Sequence, residues 1–568
     1  MTPVLHRLLA QALEAVGAPP TLLRSAAFEL ASLEHADLTS PVAFGLAKEL
    51  QGQPKAIAER IVTELKKRMD DSIGVGRIEV VGAGYINITL KDQQLWTMTT
   101  SIDRPVNATA DAPTVIVEYS SPNVAKPLGI GHIRSTIIGE SLARIHEFVG
   151  SKVVRLNHPG DWGTQFGKLI VMIQDQWGGT VSDDRTIRDF VQIYVQFHER
   201  AKDNPELEIR ARQETVKLQS RDAATINIWK AICKKSYQEF DRLYARLGIH
   251  FDEIRGESAY EADVPSIVAR ALESGVAQKS EGAVIIPMPG LAAPMLIQKS
   301  DGAYLYATTD LAALQYRINK YHPDTILYVV GSQQTLHFQQ LRAAAIALGI
   351  ANDAKTQHIP FGMLLGANHK KLSTREGSSI ELESVLDEAV EHARAIIAAR
   401  PDGKEWNADD LNATAQMIGL GAVTYNDLSQ NRIHDVVLDW GRMLSLTGNS
   451  APYLQYCVVR IKSILAQAPE IGSEIGNPPP LVDQEREILR RLVRFPTIVR
   501  LSAATNEPHR IADYLFDLAC AFHRFYEHVP VLAATPKERN LRCQLIDRAA
   551  KVITAGLHLL GINVPERM

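Results

Sequence analysis

The stretch Val115-Ile-Val-Glu-Tyr-Ser-Ser-Pro-Asn-Val-Ala-Lys-Pro-Leu-Gly-Ile-Gly-His-Ile-Arg-Ser-Thr-Ile-Ile-Gly139 decides how this chain is read. Its first residues, Val115 to Val117, are apolar and β-branched, which suits a buried parallel strand. A turn holding Pro122 and Pro127 follows, and then apolar residues recur at helical spacing (Ile133, Ile137, Leu142, Ile145, Val149). Gly131 lets a backbone approach a ligand where a side chain would collide, and His132 falls at the start of the new helix. Backbone N–H groups and the positive dipole end at such a start attract phosphate, and an imidazole beside them can donate to phosphate oxygens.

Gly129-Ile-Gly-His132 resembles the HIGH signature of class I aminoacyl-tRNA synthetases, and the flanking Ser-Pro-Asn-Val-Ala-Lys-Pro-Leu and Arg-Ser-Thr-Ile-Ile-Gly narrow it to arginyl-tRNA synthetases. One departure stands out: Gly129 occupies the position of the signature's first His.

Working outward, 568 residues accommodate three or four domains, and 45% hydrophobic with 22% charged residues describes a soluble globular chain. No apolar run reaches the roughly 18 residues that cross a bilayer, and Met-Thr-Pro-Val-Leu-His-Arg has no signal-peptide architecture. A cytoplasmic location is therefore expected. Cys233, Cys457, Cys520 and Cys543 lie far apart with no Cys-x-x-Cys pair, which argues against zinc and a disulfide framework and for buried free thiols. The net charge of −4 neither announces nor excludes an RNA partner. Locally, Arg486, Arg490, Arg491, Arg494 and Arg500 face a single acid, Glu487, so this segment reads either as an RNA-binding face or as a solvated helix face.

Residues 1–108 form a first unit, with helical patterns at Val4–Val16 and Pro54–Met69 and alternating segments at Ile78–Val81 and Tyr85–Leu90. Asp103 to Pro113 reads as a linker. Residues 114–375 alternate strands with helices as a doubly wound sheet does, with strands expected at 114–118, 152–157, 325–330 and 358–364 and a mostly helical insertion near 183–275. From about 380 onward the pattern is almost wholly helical, broken at Asn477-Pro-Pro-Pro480. The expected fold is α/β: a class I, Rossmann-like parallel sheet with a helical insertion. The resemblance, which runs nearly full length to Pro565-Glu-Arg-Met568, adds an N-terminal α+β tRNA-binding domain, a stem-contact region at 376–445 and an all-α anticodon-binding bundle at 446–568.

Amino-acid activation joins a carboxylate to the α-phosphorus of ATP and expels pyrophosphate, so positioning and charge stabilisation carry the catalysis. Gly131 and His132 can serve the phosphates. Lys371-Leu-Ser-Thr-Arg375, after an expected strand and a loop containing Gly366, can supply cations over the leaving group and resembles a degenerate KMSKS loop. The resemblance assigns catalysis to Lys126, Gly131, His132, Lys371, Ser373 and Arg375, and ATP binding to Gly129, Gly131, His132 and Lys371. Lys126 stands where, in such enzymes, a lysine replaces the second lysine of KMSKS.

A buried carboxylate is the natural partner of a guanidinium, with an aromatic ring and an amide to orient it. Tyr306 and Asp310 lie four apart at a strand-to-helix transition, where Asp310 alone could equally be a helix N-cap or first-turn acid. The resemblance places arginine's side chain on Tyr306, Asp310 and Gln334, and its α-amino end on Asn123. Asn157-His-Pro-Gly-Asp-Trp-Gly-Thr-Gln-Phe-Gly167 is similar to a further family segment and reads as pocket wall. Two look-alikes fail. Gly167-Lys168 runs into Leu169 instead of the Ser/Thr of a P-loop, and Gly129-Ile-Gly131 meets Arg134 where a dinucleotide fingerprint has its third glycine.

Gly84-Tyr-Ile-Asn87 resembles the family segment in which Tyr85 and Asn87 would contact a base of the tRNA elbow; a half-buried Tyr85 on an alternating strand is the plain alternative. Gly448-Asn-Ser-Ala-Pro-Tyr-Leu-Gln-Tyr456 resembles the opening of the anticodon-binding domain. The resemblance thus implies an arginine–tRNA ligase acting on arginine, ATP with Mg²⁺ and tRNA(Arg), without zinc, as a monomer, and needing bound tRNA for activation. The competing reading is a tRNA-binding paralogue impaired at Gly129. A small nucleotidyltransferase fails on length and on the C-terminal helices.

Overall fold

Val115 to Glu118 are all buried, and a strand covered on both faces needs apolar residues throughout instead of alternation. In the computed structural model this strand, β1 (Thr114–Glu118), is the centre of a five-stranded, wholly parallel sheet. The structure describes residues 2–568 except 21–26, 32–35, 71–72, 101, 352–353, 367–379, 401–405, 470–471, 473–474 and 477. With β2 (Lys152–Asn157), β3 (Glu253–Ile254), β4 (Thr325–Gly331) and β5 (Lys355–Phe361), the order is β5-β4-β1-β2-β3. Val115 is in register with Val153 on one side and Thr325 on the other. The chain leaves β1 toward β2 and later returns on β1's other side as β4. This order reversal opens a crevice at the carboxyl ends of β1 and β4, the place where such sheets take ligands.

Helices cover the sheet. From β1 the chain enters α1 (Gly131–Phe148), twelve of whose residues are buried. Gly139 allows this contact, since a Cβ there would lie 2.2 Å from the Tyr119 ring. Arg134 is buried on the same helix, its Nε 2.7 Å from Asp427 and its Nη1 donating to the His434 carbonyl at 2.9 Å. Helix α2 (Thr164–Trp177) follows β2, and the insertion contributes α3 (Ile187–Asp203), α4 (Glu206–Gln219) and α5 (Ala223–Arg246). Gly167 is a packing glycine, for a Cβ there would meet the Ala211 carbonyl at 2.1 Å, and Lys168 pairs with Glu208 at 2.9 Å. That accounts physically for the failed P-loop.

One sequence expectation needs correction here. The expected strand 358–364 runs instead from Lys355 to Phe361, and Leu364–Leu365 leaves to pair with Val436–Val437. Gly362 lies against the His434 carbonyl, where a Cβ would stand 2.7 Å away, so the backbone turns out of the sheet. The 183–275 segment is mostly helical, and it returns to the sheet once as β3, too short to show a period. An antiparallel sheet (278–280, 283–286, 295–298), absent from the expected strands, follows and seats α6 (Tyr306–Tyr321) by burying Ile286, Met295 and Ile297. Helix α7 (Thr335–Ala347) follows β4, and α8 (Leu382–Ala398) and α9 (Ala408–Leu428) follow β5. These elements belong to one compact unit, Pro105–Tyr456 with Val499–Asp513 and Gly556–Met568.

The second unit comprises Met1–Arg104, Cys457–Ile498 and Tyr514–Ala555. Its antiparallel sheet runs Glu29–Leu30, Leu38–Ser40, Tyr85–Leu90, Val75–Val81. Buried Asp37 accepts from the Leu90 N–H at 2.7 Å and faces the helix Asp483–Leu492. Neither reading of the arginine segment survives for four of its five members. Arg486 pairs with Asp37 and Asp92, Arg490 with Asp37, and Arg491 with Asp517, while Arg494 donates to the Ala31 carbonyl. Partners distant in sequence consume these charges within the unit. Of the four cysteines, Cys233, Cys457 and Cys543 are buried, and none is joined in a disulfide.

Candidate active site

Strain marks the end of β1. Ser120, Ser121 and Ala125 have φ of 72°, 46° and 66°, a left-handed region costly for residues with a Cβ and found where a site over-determines its backbone. The neighbouring segment holds this loop: the Val124 N–H donates to the Gly160 carbonyl at 3.0 Å, the Gly160 N–H to Pro122 at 3.0 Å, and the Asn157 side chain accepts from Ser121 N–H at 3.1 Å. The 157–167 segment is thus wall and support.

Two cavities open on this loop. One, of about 430 Å³, is lined by Asn123, Gly131 and His132 from the β1–α1 side, Gln334 from the β4–α7 side, and Phe361–Leu364 beyond β5. The other, about 580 Å³, holds Asn123, His158, Glu257, Tyr306, Asp310, Gln334 and His337. Ser121, Asn123, Val330, Gln333 and Gln334 line both, which makes them two ends of one cleft.

At the first end, α1 begins at Gly131, which has open space around its Cβ position. His132 Nδ1 lies 3.2 Å from the Gly129 carbonyl. A carbonyl only accepts, so Nδ1 carries the proton and Nε2 is left for a ligand. Burial pushes the His132 pKa below its usual value. The neutral ring thus offers Nε2 as an acceptor, and only a nearby anion, by favouring the imidazolium, makes Nε2 a donor.

At the other end Asp310 sits in the second turn of α6, so the N-cap reading is wrong: Leu305 caps this helix. Its carboxylate accepts from His337 Nε2 at 2.7 Å, and His158 Nε2 lies 3.8 Å from it. The exposed Tyr306 ring is 5.0 Å from the His337 ring. Glu257, which sequence reasoning passed over, faces the same cavity. Burial, with the negative charges of Asp310 and Asp161, raises its pKa to about 7. Its only sequence signal was proximity to a short strand without a pattern, and His337 lay unmarked on a helix. An aromatic ring and two carboxylates, one starved of a counter-charge, suit a planar organic cation.

Gly129 and Lys126 do not join His132 in its cavity. They line a third one, with the Lys126 ammonium 5.7 Å from the Tyr194 ring centroid. Lys371, Ser373 and Arg375 lie outside the described residues. The chain just after them is bridged to the first motif, since Ile130 N–H donates to Ile380 and Leu382 N–H to Leu128, both at 2.8 Å. In the other unit Tyr85 is exposed, its ring 4.9 Å from Phe44, whereas Asn87 is buried and its oxygen accepts from Thr39 at 2.7 Å. Tyr85 is 47% exposed, so half of its surface packs within the unit and half is open.

Three family models match: arginyl tRNA synthetase N terminal domain over residues 3–90, tRNA synthetases class I (R), catalytic domain, over 98–440, and DALR anticodon binding domain over 454–568. The chain belongs to the arginyl-tRNA synthetases. It is similar to an arginine–tRNA ligase of a Synechococcus species, 39% identical over 94% of this chain and 93% of that one, and to one from Shigella sonnei, 36% identical over 98% of each. Arginyl-tRNA synthetase structures from Plasmodium falciparum and Thermus thermophilus share the fold with TM-scores of 0.86 and 0.79, each at 24% identity over essentially whole chains. As an arginyl-tRNA synthetase, it carries a class I catalytic domain and an anticodon-binding domain, the two parts that aminoacylation of tRNA with arginine requires. Among the described residues, no helix is long and apolar enough to cross a membrane, and no three His, Cys, Asp or Glu side chains gather as a metal site.

Proposed function

We propose that this chain forms arginyl-adenylate from arginine and ATP and transfers arginine to the terminal adenosine of tRNA(Arg), first at the 2′-hydroxyl. The observation that carries the reading is the charge pattern of the cleft: Asp310 and Glu257 beside the Tyr306 ring at one end, the α1 start with His132 at the other. Arginine's guanidinium would sit on the two carboxylates and Tyr306, with Gln334 alongside. Asn123, on the wall common to both ends, would take the α-amino group and leave the substrate carboxylate facing the α-phosphorus.

ATP would lie with its nucleoside toward Gly131 and the 361–364 segment. Its phosphates would meet the helix start, His132, Lys126, and the loop of Lys371, Ser373 and Arg375. Protonated His132 would donate to phosphate oxygen through Nε2. Magnesium ion, held by the triphosphate, would supply charge neutralisation to the leaving pyrophosphate. Tyr85 would present its ring to a tRNA base. Asn87 would have to read a base edge through its amide nitrogen, its oxygen being taken by Thr39. The resemblance supports the division into the four domains given above, a cytoplasmic monomer and activation that depends on bound tRNA. No observation favours a non-catalytic paralogue: Asn123, His132, Tyr306, Asp310 and Gln334, expected from sequence as substrate contacts, line the two ends of the cleft.

Arginine-dependent ATP–pyrophosphate exchange, with and without cognate tRNA, tests the proposal. Exchange confined to tRNA-containing mixtures is expected. Asp310→Asn should raise the KM for arginine by about 10- to 150-fold, the equivalent of one charge-assisted hydrogen bond of roughly 1.5–3 kcal/mol. Absence of exchange under all conditions, with arginine still bound, would refute catalysis.

A further inference from the structure

We infer that Ser236 and Tyr244 of helix α5 are positioning residues for arginine, holding the loop that carries Asn123 in its left-handed backbone conformation. The inference rests on the role of Asn123 proposed above. The two residues stand eight positions apart, which places them on one face of α5, and both are buried. Their hydroxyls reach all three left-handed residues of the loop after β1. The Ala125 N–H donates to Ser236 Oγ at 3.0 Å, and Ser236 in turn donates to the Ile232 carbonyl of its own helix at 2.9 Å. Ser120 Oγ and the Tyr244 hydroxyl are 2.7 Å apart. Tyr244 also accepts from the Asn157 amide at 3.2 Å, and the oxygen of that amide takes the Ser121 N–H. Ser120 and Ala125 are thus tied to the insertion helix directly, and Ser121 through Asn157.

A residue with a Cβ disfavours the left-handed region by a factor of about 5–30, whereas glycine takes it about as readily as the right-handed one. Deprived of the α5 hydroxyls, the loop would spend most of its time in other conformations. Apparent affinity falls in proportion to the fraction of molecules in the competent conformation. Asn123 lies between Ser121 and Ala125 and lines both ends of the cleft, so this fraction sets the affinity for arginine. Neither Ser236 nor Tyr244 lines the cleft, and their effect on arginine therefore passes through the loop.

The test measures KM for arginine in aminoacylation by the full-length protein, with circular dichroism to establish that each variant is folded. Tyr244→Phe and Ser236→Ala each remove one hydroxyl and keep the rest of the side chain. Each should raise KM for arginine about tenfold. Adding Ala125→Gly to Ser236→Ala should return KM to within about twofold of the parent, because glycine needs no support at a φ of 66°. Unchanged KM in either single variant overturns the inference. A raised KM that Ala125→Gly leaves raised also overturns it, since the hydroxyl would then act through packing and not on the left-handed backbone. If Ser236→Ala does not fold, Tyr244→Phe decides by its own KM. Failure of the parent to charge tRNA would instead strike the aminoacylation reading, and that failure is read from the parent alone.

Discussion

Arg490 Nε lies 2.6 Å from Oδ1 of Asp37, whose side chain is 4% exposed and whose other oxygen is 3.1 Å from Arg486. One buried carboxylate of the N-terminal sheet thus holds two arginines of a helix some 450 residues away in sequence. Removing it leaves both cations without their shared partner. Asp37→Ala should cost about 3 kcal/mol, the low end for a broken buried pair because the arginines reach solvent, measured by urea unfolding. The same geometry predicts what Arg490 does not do. A phosphate-binding arginine changed to Gln lowers the salt dependence of tRNA affinity by about one counterion. Arg490→Gln should leave that slope unchanged, and a slope reduced by one would assign Arg490 to RNA after all.

Glu257 titrates near pH 7 because burial and neighbouring carboxylates disfavour its charge. An arginine guanidinium favours the charged form, so arginine binding should release part of a proton at pH 7. Arginine affinity should then rise as pH rises through about 7. Glu257→Gln should raise KM for arginine about tenfold at pH 8, much less at pH 6, and should abolish the proton release seen by calorimetry in buffers of different ionisation enthalpy.

The histidines give the stability a pH dependence of known sign. Burial lowers the pKa of His132, His146, His358, His509, His523 and His558 in the folded chain. Below the unfolded value of about 6.5, the unfolded state binds more protons, so stability is lost as pH falls. Glu257, raised from 4.5 to about 7, acts in the opposite sense, since there the folded state holds the extra proton. Six histidines against Glu257 predict a melting temperature higher at pH 7.5 than at pH 5.5. Glu257→Gln should steepen that difference; a flat profile in both proteins would contradict the assignment.

Gly129 poses the question of catalytic cost. Loss of a charge-directed hydrogen bond in the transition state costs about 2.7–4 kcal/mol, or 10²–10³ in rate. Here Gly129 lines the cavity next to His132's, and its backbone bridges to Glu381. Gly129 is not among the residues lining His132's cavity. Gly129→His should therefore raise the pyrophosphate exchange rate less than tenfold. A hundredfold gain would mean that the signature's first His is simply missing.

Local pattern sufficed wherever a physical rule acts over a few residues. The unbroken apolar run of β1, the switch to helical spacing after Gly131 and the alternation at Tyr85–Leu90 all became the elements they announce. Tyr306 and Asp310 were placed at a strand-to-helix transition, which the helix start at Tyr306 matches, and the motif resemblance named the family. β3 escaped because two residues carry no period, and the start of β5 because its polar Lys355-Thr-Gln357 reads like a loop. Charge was the least legible property. The arginines from 486 to 494 read as a basic face until folding brought Asp37 and Asp92 against them. Glu257 carried no signal in the sequence, and burial beside Asp310 and Asp161 raises its pKa only in the fold. Periodicity and turn chemistry are set by neighbours along the chain, whereas desolvation and ion pairing depend on neighbours in space, which only the tertiary structure supplies.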